Sequence, residues 1–225
     1  MTWANSTPPR SAVASAGDPV TTFHELYYDS MDKTWMDTRW LGVRTLKCPL
    51  DLWVYQEILW ETRPDLILET GTAHGGSALF FASILGQLGS GSVCTIDVAD
   101  LPDRPAHPLI RYVTGSSTDP SILSEVTELA GTAERVMVLL DSDHSAQHVT
   151  RELAAYSGLV TPGCYLIVED TNVNGRPVLP DFGPGPAEAL ETFLATDDRF
   201  EVDRTREKLL MTFNPGGFLR RRMHP

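Results

Sequence analysis

The chain has 225 residues, 42% apolar and 21% charged, with 18 Lys+Arg against 30 Asp+Glu for a formal charge of −12. That length suits one α/β domain with modest extensions, and the surplus of carboxylates excludes a nucleic-acid backbone or an anionic membrane surface as partner. No apolar run reaches the ~18 residues of a membrane span, no basic stretch followed by an apolar one marks a secretion signal, and Cys48, Cys94 and Cys164 form no CxxC pair, so a cytoplasmic enzyme with reduced cysteines is expected.

Residues 1–19, rich in Ser, Ala, Pro and Thr, read as a flexible leader. Residues 20–62 read as a helical or lid segment. Its aromatics (Phe23, Tyr27, Tyr28, Trp35, Trp40) either cap a site or pack over the domain. Within it, Pro49–Glu61 sets Leu52, Tyr55, Ile58 and Leu59 on one helical face behind a first-turn proline. Residues 63–225 then alternate short apolar strands (DLILET, SVCTIDV, LIRYVT, RVMVLL, CYLIVE) with helices after the glycine turn, at Ser121–Leu129, Ala146–Leu159 and Gly183–Thr196. FEVDR and LLMTFNP read as a final strand pair, joined too closely for a parallel crossover, so one of the two is antiparallel. The order predicts an α/β, Rossmann-like, doubly wound and mostly parallel seven-stranded sheet with helices on both faces.

Ligands of such sheets bind beyond the carboxyl ends of the strands. The first strand ends in Glu69-Thr70-Gly71-Thr72-Ala73-His74-Gly75-Gly76-Ser77, a turn whose glycines let the backbone approach a ligand at a helix N-terminus. It departs from G-x-G-x-x-G, which weakens a dinucleotide reading. Asp97 ends the second strand about 20 residues on, where a carboxylate holds ribose hydroxyls. Gly115-Ser116-Ser117 either lines an adenine edge or approaches a helix. Asp141-Ser142-Asp143-His144 and Glu169-Asp170 end the next two strands. Asp141, Glu169 and Asp170 would repel one another at one rim unless a cation held them, and oxygen-only ligands favour Mg2+. His144 either takes a proton from a metal-bound hydroxyl or is simply a first-turn helix residue. The loop Asn172–Gly185 reads as a lid or a plain surface loop, and Arg220-Arg221-Arg222 as a solvated end or a subunit contact.

FHELYYD, TWMDTRWLGV, LKCPLDLWVYQEIL, PDLILETGTAHGGSALFFAS, TIDV, LLDSDHS and YLIVEDTNVNGRPV together resemble the cephalosporin hydroxylase / rhamnosyl O-methyltransferase family from Phe23 onward. The resemblance implies a class I methyltransferase fold with one antiparallel strand. It implies S-adenosylmethionine as cofactor, held by Glu69, Gly71, Thr72, Ala73, Ser77, Asp97, Ser117 and Asp141. It also implies Mg2+ on Asp141, Glu169 and Asp170. Asp141 and His144 are then the expected catalytic residues of a Mg2+-assisted O-methyltransferase. Its acceptor would be a hydroxyl of a sugar or glycosylated natural product, as in antibiotic-type secondary metabolism, and the chain would form a homo-oligomer. A non-catalytic nucleoside-binding partner subunit is the alternative the resemblance raises. An NAD(P)-dependent reductase is a further one, but its tighter glycine fingerprint and Tyr–Lys pair are missing.

Overall fold

The computed structural model describes residues 17–223, so residues 1–16 of the expected leader lie outside the described residues. Helix α1 (Pro19–Asp29) opens on Asp18, whose carboxylate accepts the Thr21 N–H at 3.2 Å. Two single 3-10 turns and a small hairpin, β1 (Arg39–Trp40) with β2 (Val43–Arg44), lead to α2 (Pro49–Thr62). The hairpin was not apparent in the sequence; Trp40 leaves the aromatic segment to pack on Phe80, ring centres 4.9 Å apart.

From there the strands are β3 (Leu66–Thr70), β4 (Ser92–Asp97), β5 (Ile110–Thr114), β6 (Val136–Leu140), β7 (Tyr165–Val168), β8 (Phe200–Val202) and β9 (Phe218–Arg221). Helices α3 (Gly76–Leu88), α4 (Pro120–Ala130), α5 (Ala146–Tyr156) and α6 (Pro186–Leu194) connect them. The seven-stranded sheet runs β5-β4-β3-β6-β7-β9-β8, and only β9 opposes its neighbours. The chain order reverses between β3 and β6, and that switch point opens the crevice of an α/β sheet. Among the described residues no helix is long and apolar enough to cross a membrane.

Period-two alternation sorts the strand residues into two cores. Leu66, Leu68, Val136, Val138 and Leu140 face α4, α5 and α6, with Val126, Leu153 and Leu190. Ile67, Met137 and Leu139 face α2 and α3, with Tyr55, Ile58, Phe81 and Leu85. The four apolar positions expected on α2 are all buried, and the three cysteines are free and buried.

The C-terminal expectation needs correction. LLMTFNP is a loop, and the last strand is FLRR, so Arg220 and Arg221 belong to the sheet instead of a solvated tail. A third cluster explains why: Met211 and Phe213 are buried with Tyr28, Cys48, Val173 and Val178. Phe213 stacks on His24 (5.6 Å) and meets Tyr28 (5.3 Å) and Trp35 (6.0 Å). The apolar content of that stretch anchors α1 to the domain, a task that alternation cannot distinguish from that of a strand. The loop after Asn172 contributes Val173 and Val178 to this cluster.

Candidate active site

A cavity of about 630 Å³ opens over the carboxyl ends of the strands, on both sides of the switch point. Gly71, Ala73, Asp97 and Ser117 form its wall on the β3–β5 side. Asp141, His144 and Asp170 form its floor at β6 and β7, and Tyr28, Trp35 and Leu46 close it from the N-terminal segment.

The glycine turn is fixed by backbone geometry. Gly71 has φ +87°, and a Cβ there would lie 1.8 Å from the Asp141 carbonyl oxygen, so only a hydrogen fits where β3 and β6 end. Asp97 Oδ2 accepts the Thr72 and Ala73 N–H groups at 2.9 and 2.8 Å, which holds Ala73 at φ +43°. The Arg104 guanidinium lies 3.6 Å from the same oxygen and donates through Nε to the Ala73 carbonyl at 3.0 Å. Asp97 therefore stands in the cavity wall while its carboxylate organises the turn. Glu69, Thr72 and Ser77 are buried beneath the turn and form no part of the wall. Thr95 donates to Glu69 Oε2 at 2.7 Å. Burial pushes the Glu69 carboxyl up, against the pull of Lys47, Ser77 and Thr95.

At the other rim, one ligand-capable atom each of Asp141, His144 and Asp170 lies within 4.8 Å of the others. His144 Nε2 is 3.2 Å from Asp170 Oδ2 and 4.0 Å from Asp141 Oδ1. Glu169, the expected third carboxylate, is not one of that group: its Oε1 is 2.7 Å from Lys47 Nζ, and Lys47 pairs with Asp141 as well. The structure thus gathers His144 with two of the expected three carboxylates, and one ammonium joins the third to Asp141. Lys47 is buried, and nothing in LKCPL marks it; only the fold carries it 94 positions along the chain to Asp141. Burial pulls Lys47 down, but Asp141, Glu169 and Glu69 outweigh it and raise it above the usual ammonium range. Burial pushes Asp141 up to about 7 and Glu169 up to about 8, with Lys47 opposing in both cases.

Asp170 is left-handed, at φ +52°, a conformation Asp tolerates better than most residues. Its N–H donates to Asn214 Oδ1 at 3.0 Å, and Asn214 Nδ2 donates to the Tyr55 hydroxyl at 2.6 Å. Asn172 and His24 are 2.9 Å apart between Nδ2 and Nε2, which fastens α1 beside the loop after β7. Neither Asn214 nor His24 stood out in the sequence, because both lie within stretches that read as strand or aromatic packing.

Several known proteins are similar to this chain. The family model described as Rhamnosyl O-methyltransferase/CmcI matches residues 32–222. A rhamnosyl O-methyltransferase of Mycobacterium bovis (strain BCG / Pasteur 1173P2) is 40% identical over 205 residues, covering 88% of this chain and 82% of its own. The rhamnosyl O-methyltransferase of Mycobacterium leprae (strain TN) is 40% identical over 206 residues, covering 89% of each. Among solved structures, apo CmcI-N160 superposes with a TM-score of 0.63 at 25% identity, over 83% of this chain and 77% of the other. CmcI-D160 with Mg and SAM gives a TM-score of 0.62 at 24% identity over the same shares, a likeness of fold.

Proposed function

We propose, for a chain that belongs to the rhamnosyl O-methyltransferase/CmcI family and is thereby an S-adenosylmethionine-dependent O-methyltransferase, a Mg2+-assisted methyl transfer to a hydroxyl of a sugar or glycosylated natural product. The observation that carries this reading is one cavity with a nucleoside-type turn and Asp97 at one end and a cation-type group of side chains at the other.

The residues fit the metal. Asp141 and Asp170 offer two carboxylate ligands, the number Mg2+ takes when it keeps positions for water and substrate oxygens. Asp141, Glu169 and Asp170 meet at this rim with one ammonium, Lys47, between two of them, and a divalent cation would balance the remaining carboxylate charge. When bound, Mg2+ supplies Lewis-acid polarisation of the acceptor's oxygen. S-adenosylmethionine supplies the methyl group as a sulfonium.

In this reading each of the chain's own groups has a defined task. Gly71 and Ala73 carry the methionine end, Asp97 the ribose and Ser117 the adenine, while Glu69, Thr72 and Ser77 support the turn from below. Lys47 holds Glu169 beside the cation site. His144 accepts the hydroxyl proton, and Asp170 Oδ2, 3.2 Å from its Nε2, stabilises the resulting imidazolium. Trp35 and Tyr28 exclude water and face the acceptor. Residues 20–62 act as the cap and residues 63–225 as the catalytic domain. The sugar class draws its support from the names of the mycobacterial relatives.

The test is methyl transfer by the purified chain from S-adenosylmethionine to a panel of rhamnosylated and unglycosylated acceptors, with EDTA and then with Mg2+ restored. Activity on the glycosylated acceptors that EDTA abolishes and Mg2+ restores is expected. Full turnover in chelator defeats the metal role, and equal turnover on the unglycosylated acceptors defeats the sugar assignment.

A further inference from the structure

Behind the β5 side of the cavity lies a buried polar chain that the reaction does not use. Glu152 on α5 is fully buried. Its Oε1 accepts the Ser142 hydroxyl at 2.7 Å and lies 3.4 Å from His148 Nε2, while its Oε2 has no hydrogen-bond partner among the described residues. His148 Nε2 is also 3.1 Å from Ser117 Oγ, and the Tyr156 hydroxyl fixes the Ser117 carbonyl at 2.7 Å. Ser142, His148 and Ser117 all line the cavity. On the far side of the ring, His148 Nδ1 faces Arg151 Nη2 at 3.4 Å.

These neighbours select the tautomer. Arg151 can only donate, so Nδ1 must offer its lone pair. The Glu152 carboxylate can only accept, so Nε2 must carry the hydrogen. The opposite tautomer would set N–H against guanidinium and a lone pair against carboxylate, the second beside the fully buried Glu152, where little water screens the repulsion. With Nε2–H beside it, Ser117 Oγ is an acceptor toward His148, and its own hydrogen is left for the cavity.

We propose that Glu152 and His148 are positioning residues that turn the Ser117 hydroxyl into a fixed donor toward the adenine ring, so that the cavity discriminates adenine from hypoxanthine. The inference rests on assigning the nucleoside to the β4–β5 end of the cavity. With Asp97 at the ribose, Ser117 meets the edge of the base remote from the sugar. There adenine N1 is an acceptor, whereas deamination makes it N1–H, a donor facing a donor. A site built around a hydrogen bond rejects the analogue that lacks it more strongly than an apolar pocket rejects a change of size.

The test is calorimetric binding of S-adenosylhomocysteine and S-inosylhomocysteine, without acceptor, to the wild type and to Ser117→Ala, His148→Leu and His148→Gln. The wild type is expected to prefer the adenosyl compound by about tenfold or more. Ser117→Ala and His148→Leu should bring the ratio within about twofold. His148→Gln, whose amide can still donate to Ser117, should keep most of it. A purely structural role for His148 would lower affinity for both compounds together and leave the ratio unchanged, which overturns the proposal. So does a wild type that binds both compounds equally, or a His148→Gln chain that behaves like His148→Leu. A wild type that binds neither compound strikes instead at the S-adenosylmethionine reading, and a failed acceptor panel leaves this assay untouched.

Discussion

The two rims of the cavity are built in different ways. At β3 and β4 the contacts are between backbone N–H groups and one carboxylate, and the partners are close in sequence: Thr72 and Ala73 lie 25 and 24 residues from Asp97. At β6 and β7 the contacts are between side chains from distant segments. Lys47 reaches Asp141 across 94 residues, His24 reaches Asn172 across 148, and Tyr55 reaches Asn214 across 159. The Asp97 contacts of the first rim lie within one β-α-β unit. The second requires α1, α2 and the 209–215 loop to be docked together, and bringing together partners so far apart costs more chain entropy before any contact repays it. The β3–β4 rim can therefore be a fixed property of the sheet, whereas the β6–β7 rim depends on how the two ends of the chain are fastened.

The largest expected effect separates the rims by function. Asp141→Ala should lower kcat by about 10³-fold, the scale on which preorganised electrostatic groups act, while S-adenosylhomocysteine affinity stays within about threefold. Asp97→Ala should do the reverse. It removes a charged acceptor from two N–H groups, each bond worth about 1.5–3 kcal/mol, and should weaken S-adenosylhomocysteine binding about 10–100-fold with Mn2+ binding at the other rim unchanged. Equal losses of cofactor affinity in both variants would mean that the rims are one unit and the contrast is false.

How much of each rim was legible in the sequence follows the same division. The glycine turn, Asp97, Asp141 and Asp170 end apolar strands, and strand ends can be located from alternation and punctuation alone. Glu169 was equally visible, but its direction was not, because that is decided by Lys47, which reads only as a polar residue before a helix. Asn214 was hidden more thoroughly. Met211 and Phe213 give their stretch a strand-like pattern, yet they are buried under α1, and that leaves Asn214 free to hold the Asp170 backbone. Lys47→Met makes this dependence measurable. Breaking a buried ion pair costs about 3–5 kcal/mol, so Tm at pH 8 should fall by on the order of 10 °C, with Asp141 and Glu169 left to repel one another. An unchanged Tm would show that the β6–β7 rim stands without its distant partner.

The smallest effect concerns Asp51, one of the fastenings between the ends of the chain. It lies in the first turn of α2, 2% exposed, and its Oδ2 accepts the Phe213 N–H at 2.9 Å. Burial pushes its carboxyl up to about 7, against the opposing hydrogen bonds from Thr212 and Phe213. Unfolded, the same group titrates near ~3.9. Between about pH 4 and pH 7 the folded chain keeps a proton that the unfolded chain has released, so the folded state loses ground as pH rises through that window and no further above it. Asp51→Asn keeps an acceptor oxygen for Phe213 and has nothing to ionise. Its Tm should match the wild type near pH 4 and decline less steeply toward pH 7.5, opening a gap on the order of 5 °C. Glu69, Asp141 and Glu169 are also raised by burial, so the wild-type slope should be reduced in the variant and not abolished. Parallel curves for the two chains would show that Asp51 is protonated in neither state over this range. The link from α2 to the Phe213 loop would then be a plain carboxylate-to-amide bond, and the docking of the β6–β7 rim would carry no pH dependence from this residue.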